Sequence, residues 1–135
     1  MITLDIPGYR QLLLKHLVLD YNGTLARDGI LLNGVKESLN QLSKSIQIHV
    51  ITADTFGEAR AGLEGVNCDL SILPKENQDT GKREFVKQLG NASAVCIGNG
   101  RNDRLMLKEA ALGIAVILEE GAAAETLLAA DVVCT

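Results

Sequence analysis

Strand-sized apolar runs alternate with helix-patterned segments along this chain, and that alternation limits its fold more than any other feature. "QLLLKHLVLD" (11–20), "IQIHVITAD" (46–54), "CDLSILP" (68–74), "ASAVCIGNG" (92–100), "GIAVIL" (113–118) and "DVVCT" (131–135) read as strands. Between them, "GVKESLNQLSKS" (34–45) places Val35, Leu39 and Leu42 at helical spacing. "TFGEARAGLEG" (55–65) reads as a short helix with Thr55 as its N-cap and Gly65 past its end. "TGKREFVKQLG" (80–90) is a helix with Thr80 before it and Gly90 after it, and "RNDRLMLKEAALG" (101–113) and "AAAETLLAA" (122–130) are helices too. Apolar, β-branched strands joined through helices need both sheet faces covered, so the pattern predicts an α/β fold with a mainly parallel central sheet between two helical layers. "ITLDI" (2–6) and the "PG" turn at 7–8 predict an N-terminal hairpin extension over 1–14, within a single domain spanning 1–135. The final strand fragment would ordinarily be followed by another helix.

The 135 residues are one domain's worth, and 47% hydrophobic content is enough for a core. The net charge of −4 comes without a basic cluster, which argues against nucleic-acid binding. The apolar runs are too short to span a bilayer, and Asp5 and Pro7 come too early for a secretory leader, so the expectation is a cytoplasmic protein with no membrane partner. Cys68, Cys96 and Cys134 stand far apart, as small buried side chains do in a reducing compartment. His16 and His49 lie in strand-like runs and read as structural, since a zinc site needs more nitrogen or sulfur ligands than the chain groups together.

The functional signal is positional. Asp20, Thr52 and Gly98-Asn99 each follow the last apolar residues of a different strand. In open parallel sheets, ligands bind outside the carboxyl ends of the strands. Taken singly these residues are ordinary: Asp20 could cap the next turn, Lys82 could be a solvated helix lysine, and "GNGRND" (98–103) could be a glycine-rich turn.

Together, "DYNGTL" (20–25), "ITAD" (51–54), Lys82 opening a helix and "IGNGRNDRLML" (97–107) resemble, in order and spacing, the motifs of the haloacid dehalogenase (HAD) superfamily. The pattern is most similar to the catalytic domain of P-type ATPases, whose motifs are D-K-T-G-T, T-G-D, a Lys after a Pro, and G-D-G-x-N-D. The resemblance implies a Rossmann-like three-layer sandwich and a Mg²⁺-dependent phosphohydrolase or phosphotransferase acting on a phosphorylated substrate, small or macromolecular. It implies Asp20 as nucleophile forming an aspartyl phosphate, with Thr52 and Lys82 holding phosphoryl oxygens. Backbone N–H groups around Asn22, Gly23 and Thr24 would add to the phosphate cradle, with Ala53 and Asn102 lining it. The metal set carried over is Asp20, the Asn22 carbonyl, Asn99 and Asp103, with Asp103 acting through water or by fixing Lys82.

Two positions depart from the phosphatase pattern. Asn22 stands where phosphatases of the family carry an acid/base Asp, and an amide cannot accept a proton at neutral pH. Such assistance is commonly worth about 10² to 10⁴ in rate. Asn99 replaces a metal-binding Asp and brings no charge, which predicts weaker Mg²⁺ binding. The resemblance therefore implies either a slow enzyme with a long-lived phosphoenzyme, or a phosphate-binding or regulatory module without turnover. The intervals between motifs leave room only for a short flap, "LARDGILLNG" (25–34), turning at Asp28-Gly29, so no cap domain and a solvent-open site are expected. Capless relatives often oligomerise, which makes a homo-oligomer the expectation here.

Overall fold

The computed structural model describes residues 1–54 and 56–135. The chain opens with an antiparallel hairpin, β1 (Ile2–Ile6) and β2 (Arg10–Leu14). The main sheet begins at β3 (His16–Leu19), and the flap follows as two short antiparallel strands, β4 (Ala26–Arg27) and β5 (Ile30–Leu31). Next come α1 (Val35–Leu42), β6 (Gln47–Thr52), α2 (Glu58–Gly62), β7 (Asp69–Ile72) and α3 (Gln78–Leu89). The chain then runs through β8 (Ala94–Gly98), a 3₁₀ turn (Arg101–Asp103), α4 (Arg104–Glu109), β9 (Leu112–Val116), α5 (Ala124–Ala129) and β10 (Val132–Cys134).

Six strands form one parallel sheet in the order β10-β9-β8-β3-β6-β7. Chain order runs outward from β3 through β6 to β7, then returns to β8 and continues the other way. The strand order therefore reverses between β3 and β8, and the carboxyl ends there flank the crevice where such sheets bind ligands.

Strand alternation sorts the core into two layers. Leu17, Leu19, Ile48, Val50, Val95 and Leu112 point to one face, where Leu39 of α1, Ala59 of α2, and Leu12 and Leu14 of the hairpin join them. Val18, Ile51, Cys96 and Ala115 point to the other, against Val86 of α3, Met106 and Leu107 of α4, and Leu127 of α5. This is the expected three-layer α/β sandwich, and no cap domain covers it among the described residues.

Several boundaries differ from the sequence expectation. The run at 11–20 is two strands, because the Lys15 N–H turns to Ser93 O at 2.8 Å and β2 pairs with β1 while β3 enters the main sheet. α3 starts at Gln78, after Asn77 in the left-handed region, so Thr80 sits inside its first turn, where Asp79 Oδ1 accepts its N–H at 2.7 Å. Asn tolerates that conformation, which the pattern around Thr80 concealed. The segment at 101–113 holds only a 3₁₀ turn and a short helix before β9 begins. The N-cap expected at Thr55 lies outside the described residues.

His16 and His49 meet on the α3 face of the sheet, His16 Nδ1 lying 3.2 Å from His49 Nε2, with the His49 ring edge-on to Phe85 at 5.8 Å. Burial lowers the pKa of both rings, helped by Lys15 at His16 and by His16 at His49, where Asp69 opposes it. The fold therefore favours the neutral form of both, whereas the unfolded chain protonates them near 6.5. The stability this neutrality preserves is present above that pH and lost as pH falls below it. Replacing His49 by Gln removes one proton acceptor from this pair. Denaturant melts of His49→Gln and wild type should show the stability difference moving in the variant's favour as pH falls from about 7.5 to about 5; a difference that does not change would refute this account.

Candidate functional site

Two strand-end carboxylates and a helix lysine converge at the β3/β8 crevice. Asp20 follows β3 directly, and its N–H donates to Ile97 O of β8 at 3.1 Å, which sets its height beside Gly98. Lys82 lies in the second turn of α3 and points under the sheet end. Asp103 closes the 3₁₀ turn after β8.

The Lys82 ammonium donates to Asp20 Oδ1 and to Asp103 Oδ1, both at 2.7 Å. Lys82 and Asp103 are buried and Asp20 keeps only 8% exposure, so these are charge-assisted bonds in a weakly screened environment. The second oxygen of Asp103 accepts the N–H groups of Asn99 and Gly100, each at 3.0 Å. Both Asp103 oxygens are thus engaged, which suits a residue that fixes Lys82 and leaves it little capacity as a direct metal ligand. Among the described residues, Asp20 Oδ2 takes a long bond from the Thr24 hydroxyl, at 3.5 Å, and the Tyr21 backbone also supports the Asp20 carboxylate.

The remaining sequence candidates are placed unevenly. Thr52 is buried at the end of β6, and its Oγ1 accepts the Asp54 N–H at 3.4 Å, with Ala53 half-buried beside it. Asn102 is exposed on the 3₁₀ turn. The expected N–H cradle is largely not there: Gly23 N–H donates to Ala26 O at 2.8 Å and Thr24 N–H to Tyr21 O at 3.2 Å. The loop spends these donors on its own closure. Gly23 is instead required by its φ of +81° and by crowding, since a Cβ there would collide with Glu120 Oε2 and the Asn99 amide.

Asn22 faces the flap. Its Oδ1 accepts the Gly29 N–H at 3.0 Å, while the buried Tyr21 hydroxyl donates to Gly29 O at 2.9 Å. Asp28 (φ +49°) and Gly29 (φ +79°) form the turn between β4 and β5, and this pair of bonds clamps its tip. The side chain expected to assist proton transfer is thus occupied in holding the flap. The lack of a cap does not leave the charged cluster open either, because its three members are buried.

Sequence reasoning missed Tyr21 and Glu120. Strand alternation beyond β3 could have pointed Tyr21 into the core; nothing local marks Glu120, which arrives from the turn after β9.

No family model matches the chain. Two curated proteins of Methanocaldococcus jannaschii do match in part. Uncharacterized protein MJ0073 is 50% identical over 50 residues, covering 37% of this chain and about half, 54%, of its own length. Uncharacterized protein MJ0072 is 46% identical over 39 residues, covering 29% of this chain and 89% of its own. Among solved structures, the 3-deoxy-D-manno-octulosonate 8-phosphate phosphatase of Moraxella catarrhalis, in complex with magnesium, phosphate and KDO, superposes with a TM-score of 0.71. It is 20% identical, over 90% of this chain and 76% of that one. The chain has the haloacid dehalogenase fold. The cobalt-bound phosphatase of the same name from Haemophilus influenzae shares the HAD fold at a TM-score of 0.70 and 19% identity, over 89% of this chain and 77% of its own. The catalytic domain of the CPx-ATPase CopB-B also resembles it, with a TM-score of 0.59 and 23% identity over 76% of this chain and 40% of that one. No described helix of the chain is long and apolar enough to cross a membrane.

The electrostatics of Asp20 follow from its surroundings. Burial, then the nearby Asp103 charge, pushes its carboxyl up to about 6, and Lys82 pulls back. The unfolded chain releases this proton near 3.8. Ionising Asp20 therefore costs the fold stability as pH rises between these values, and the cost is complete above them. In the metal-free protein at pH 8, Asp20→Asn should be more stable than wild type by about 1–3 kcal/mol, with the gain shrinking near pH 5. Urea melts in EDTA measure this, and a destabilised variant at pH 8 would contradict it.

Proposed function

We propose that the chain is a slow phosphohydrolase or phosphotransferase that forms an aspartyl phosphate on Asp20. The observation that carries this reading is the buried Lys82 shared at 2.7 Å by Asp20 and Asp103, at the strand-order reversal of a HAD fold. The neighbouring phosphatases act on a sugar phosphate, and a phosphomonoester is the substrate class this geometry fits.

Lys82 occupies Asp20 Oδ1 and leaves Oδ2 as the attacking atom. Attack on phosphorus forms the Asp20 O–P bond and breaks the bond to the leaving oxygen, which takes its proton from solvent. Water then attacks phosphorus, releases inorganic phosphate and regenerates the carboxylate. The Lys82 ammonium offsets charge on the phosphoryl oxygens, and Asp103 holds that ammonium in place. The Thr52 hydroxyl is the second phosphoryl contact on this reading.

The donor set suits Mg²⁺, a hard cation that prefers carboxylate and carbonyl oxygens. The Asp20 carboxylate, the Asn22 carbonyl and Asn99 Oδ1 would hold it, the Asn99 amide spending its Nδ2 on Gly121 O and leaving Oδ1 as an acceptor. When bound, the cation would offset the repulsion between carboxylate and phosphate.

Asn22 sets the expected rate. With no acid or base there, both chemical steps rely on solvent for proton transfer. An Asp in its place could keep one oxygen on the Gly29 N–H and free the other. With p-nitrophenyl phosphate and Mg²⁺, wild type should turn over slowly, Asp20→Asn should be inactive, and Asn22→Asp should raise kcat by about 10². The engagement of Asn22 with the flap favours one alternative, a phosphate-binding module without turnover. Activity confined to Asn22→Asp would select that alternative, and wild-type activity retained in Asp20→Asn would refute the nucleophile.

A further inference from the structure

We propose that Arg104 is a positioning residue for the phosphoryl site, holding α3 in the register that sets Lys82 between Asp20 and Asp103. This rests on the reading of that site given above and adds a residue that touches none of the reacting atoms.

Arg104 opens α4 directly after Asp103, and its guanidinium joins three elements. Nη2 donates to Asp79 Oδ2, in the first turn of α3, at 3.0 Å. Nη1 donates to Arg101 O of the 3₁₀ turn at 2.9 Å, and Nε lies 3.4 Å from Glu125 Oε2 of α5. A rigid fork of donors is suited to holding several acceptors at once. The side chain keeps 25% exposure, against 72% for Arg101 on the same rim, so its bonds are the better shielded from water.

Two ion pairs of opposite polarity therefore cross the seam between α3 and the segment that follows β8. Asp103 offers a carboxylate to Lys82 at 2.7 Å, and Arg104 offers a cation to Asp79. Asp103 and Arg104 are consecutive, whereas Asp79 and Lys82 stand three residues apart, about one turn, on one face of α3. A slip of α3 by one turn would bring Lys82 against Arg104 in one direction and Asp79 against Asp103 in the other. Either slip sets like charge on like charge, and the observed register makes both pairs attractive.

Lys82 is poorly equipped to set this register itself, because its ammonium is a point charge on a flexible stem. Asn77, at the N-cap of α3, makes no capping bond. Phe85, Val86 and Leu89 pack the helix into the core, but apolar burial is not directional. Among the described residues, Asp79–Arg104 is the side-chain hydrogen bond that joins the first turn of α3 to the segment carrying Asp103.

Nuclear magnetic resonance of the Lys82 ammonium in the metal-free protein at about pH 7 tests this without activity. A buried, hydrogen-bonded ammonium exchanges its protons slowly with water and gives a ¹H–¹⁵N correlation, which Lys82→Met assigns by its loss. Arg104→Ala should speed that exchange by at least about tenfold, with Arg104→Lys between it and wild type and Arg101→Gln within about twofold of wild type. Asp79→Ala should match Arg104→Ala, and the double variant should be no faster than either, since both remove one bond. If Arg104→Ala and Asp79→Ala lower the melting temperature but leave the ammonium exchange of wild type, Arg104 is a surface brace and the proposal is overturned. It is equally overturned if wild type gives no slowly exchanging Lys82 ammonium. If the exchange responds as expected while wild type never turns over p-nitrophenyl phosphate, the role of Arg104 stands and the enzymatic reading falls.

Discussion

One buried ammonium shared between two carboxylates is the constraint around which this molecule is arranged. Lys82 comes from α3, Asp20 from the end of β3 and Asp103 from the turn after β8, so the contact ties three separate stretches of chain to one point. A charge removed from water is tolerated only when its partners and their remaining hydrogen bonds are in place. The fold meets that condition by pointing the Asn99 and Gly100 N–H groups at the far oxygen of Asp103. Asp20 is held less fully: among the described residues its second oxygen takes a long bond from Thr24, and the Tyr21 backbone adds to its support. Two carboxylates share one ammonium here, so the pocket is short of positive charge.

The layered architecture was legible because its signal is local and repeated. Leu17, Leu19 and Val18 divide between the two faces by simple alternation, and the same holds on β6 and β8. The charged cluster was legible only through the resemblance of the motifs that carry Asp20, Lys82 and Asp103, since each of these residues taken singly is ordinary. What could not be read was how the loop bonds itself. Gly23 and Thr24 looked like free donors in sequence, yet their N–H groups close the loop onto Ala26 and Tyr21. Glu120 was invisible for a related reason. Its proximity to Gly23 exists only once β9 lies beside β8 and the following turn folds back.

The two amides that looked like losses have structural occupations. Asn22 uses its acceptor on the flap tip, a bond that an Asp could also make. Asn99 uses its donor on Gly121 O, a bond that an Asp could not make. The departures from the family pattern therefore differ in kind: the first is a chemical choice at constant geometry, and the second changes which neighbouring turn the loop can hold.

The clamp on Gly29, with Asn22 taking its N–H and the Tyr21 hydroxyl reaching its carbonyl, has a kinetic meaning. A rim fastened at both peptide atoms does not have to be ordered when a guest arrives, so little conformational entropy is given up at encounter. On the phosphoryl-site reading proposed above, binding and release beside the flap would then need no prior movement of its tip.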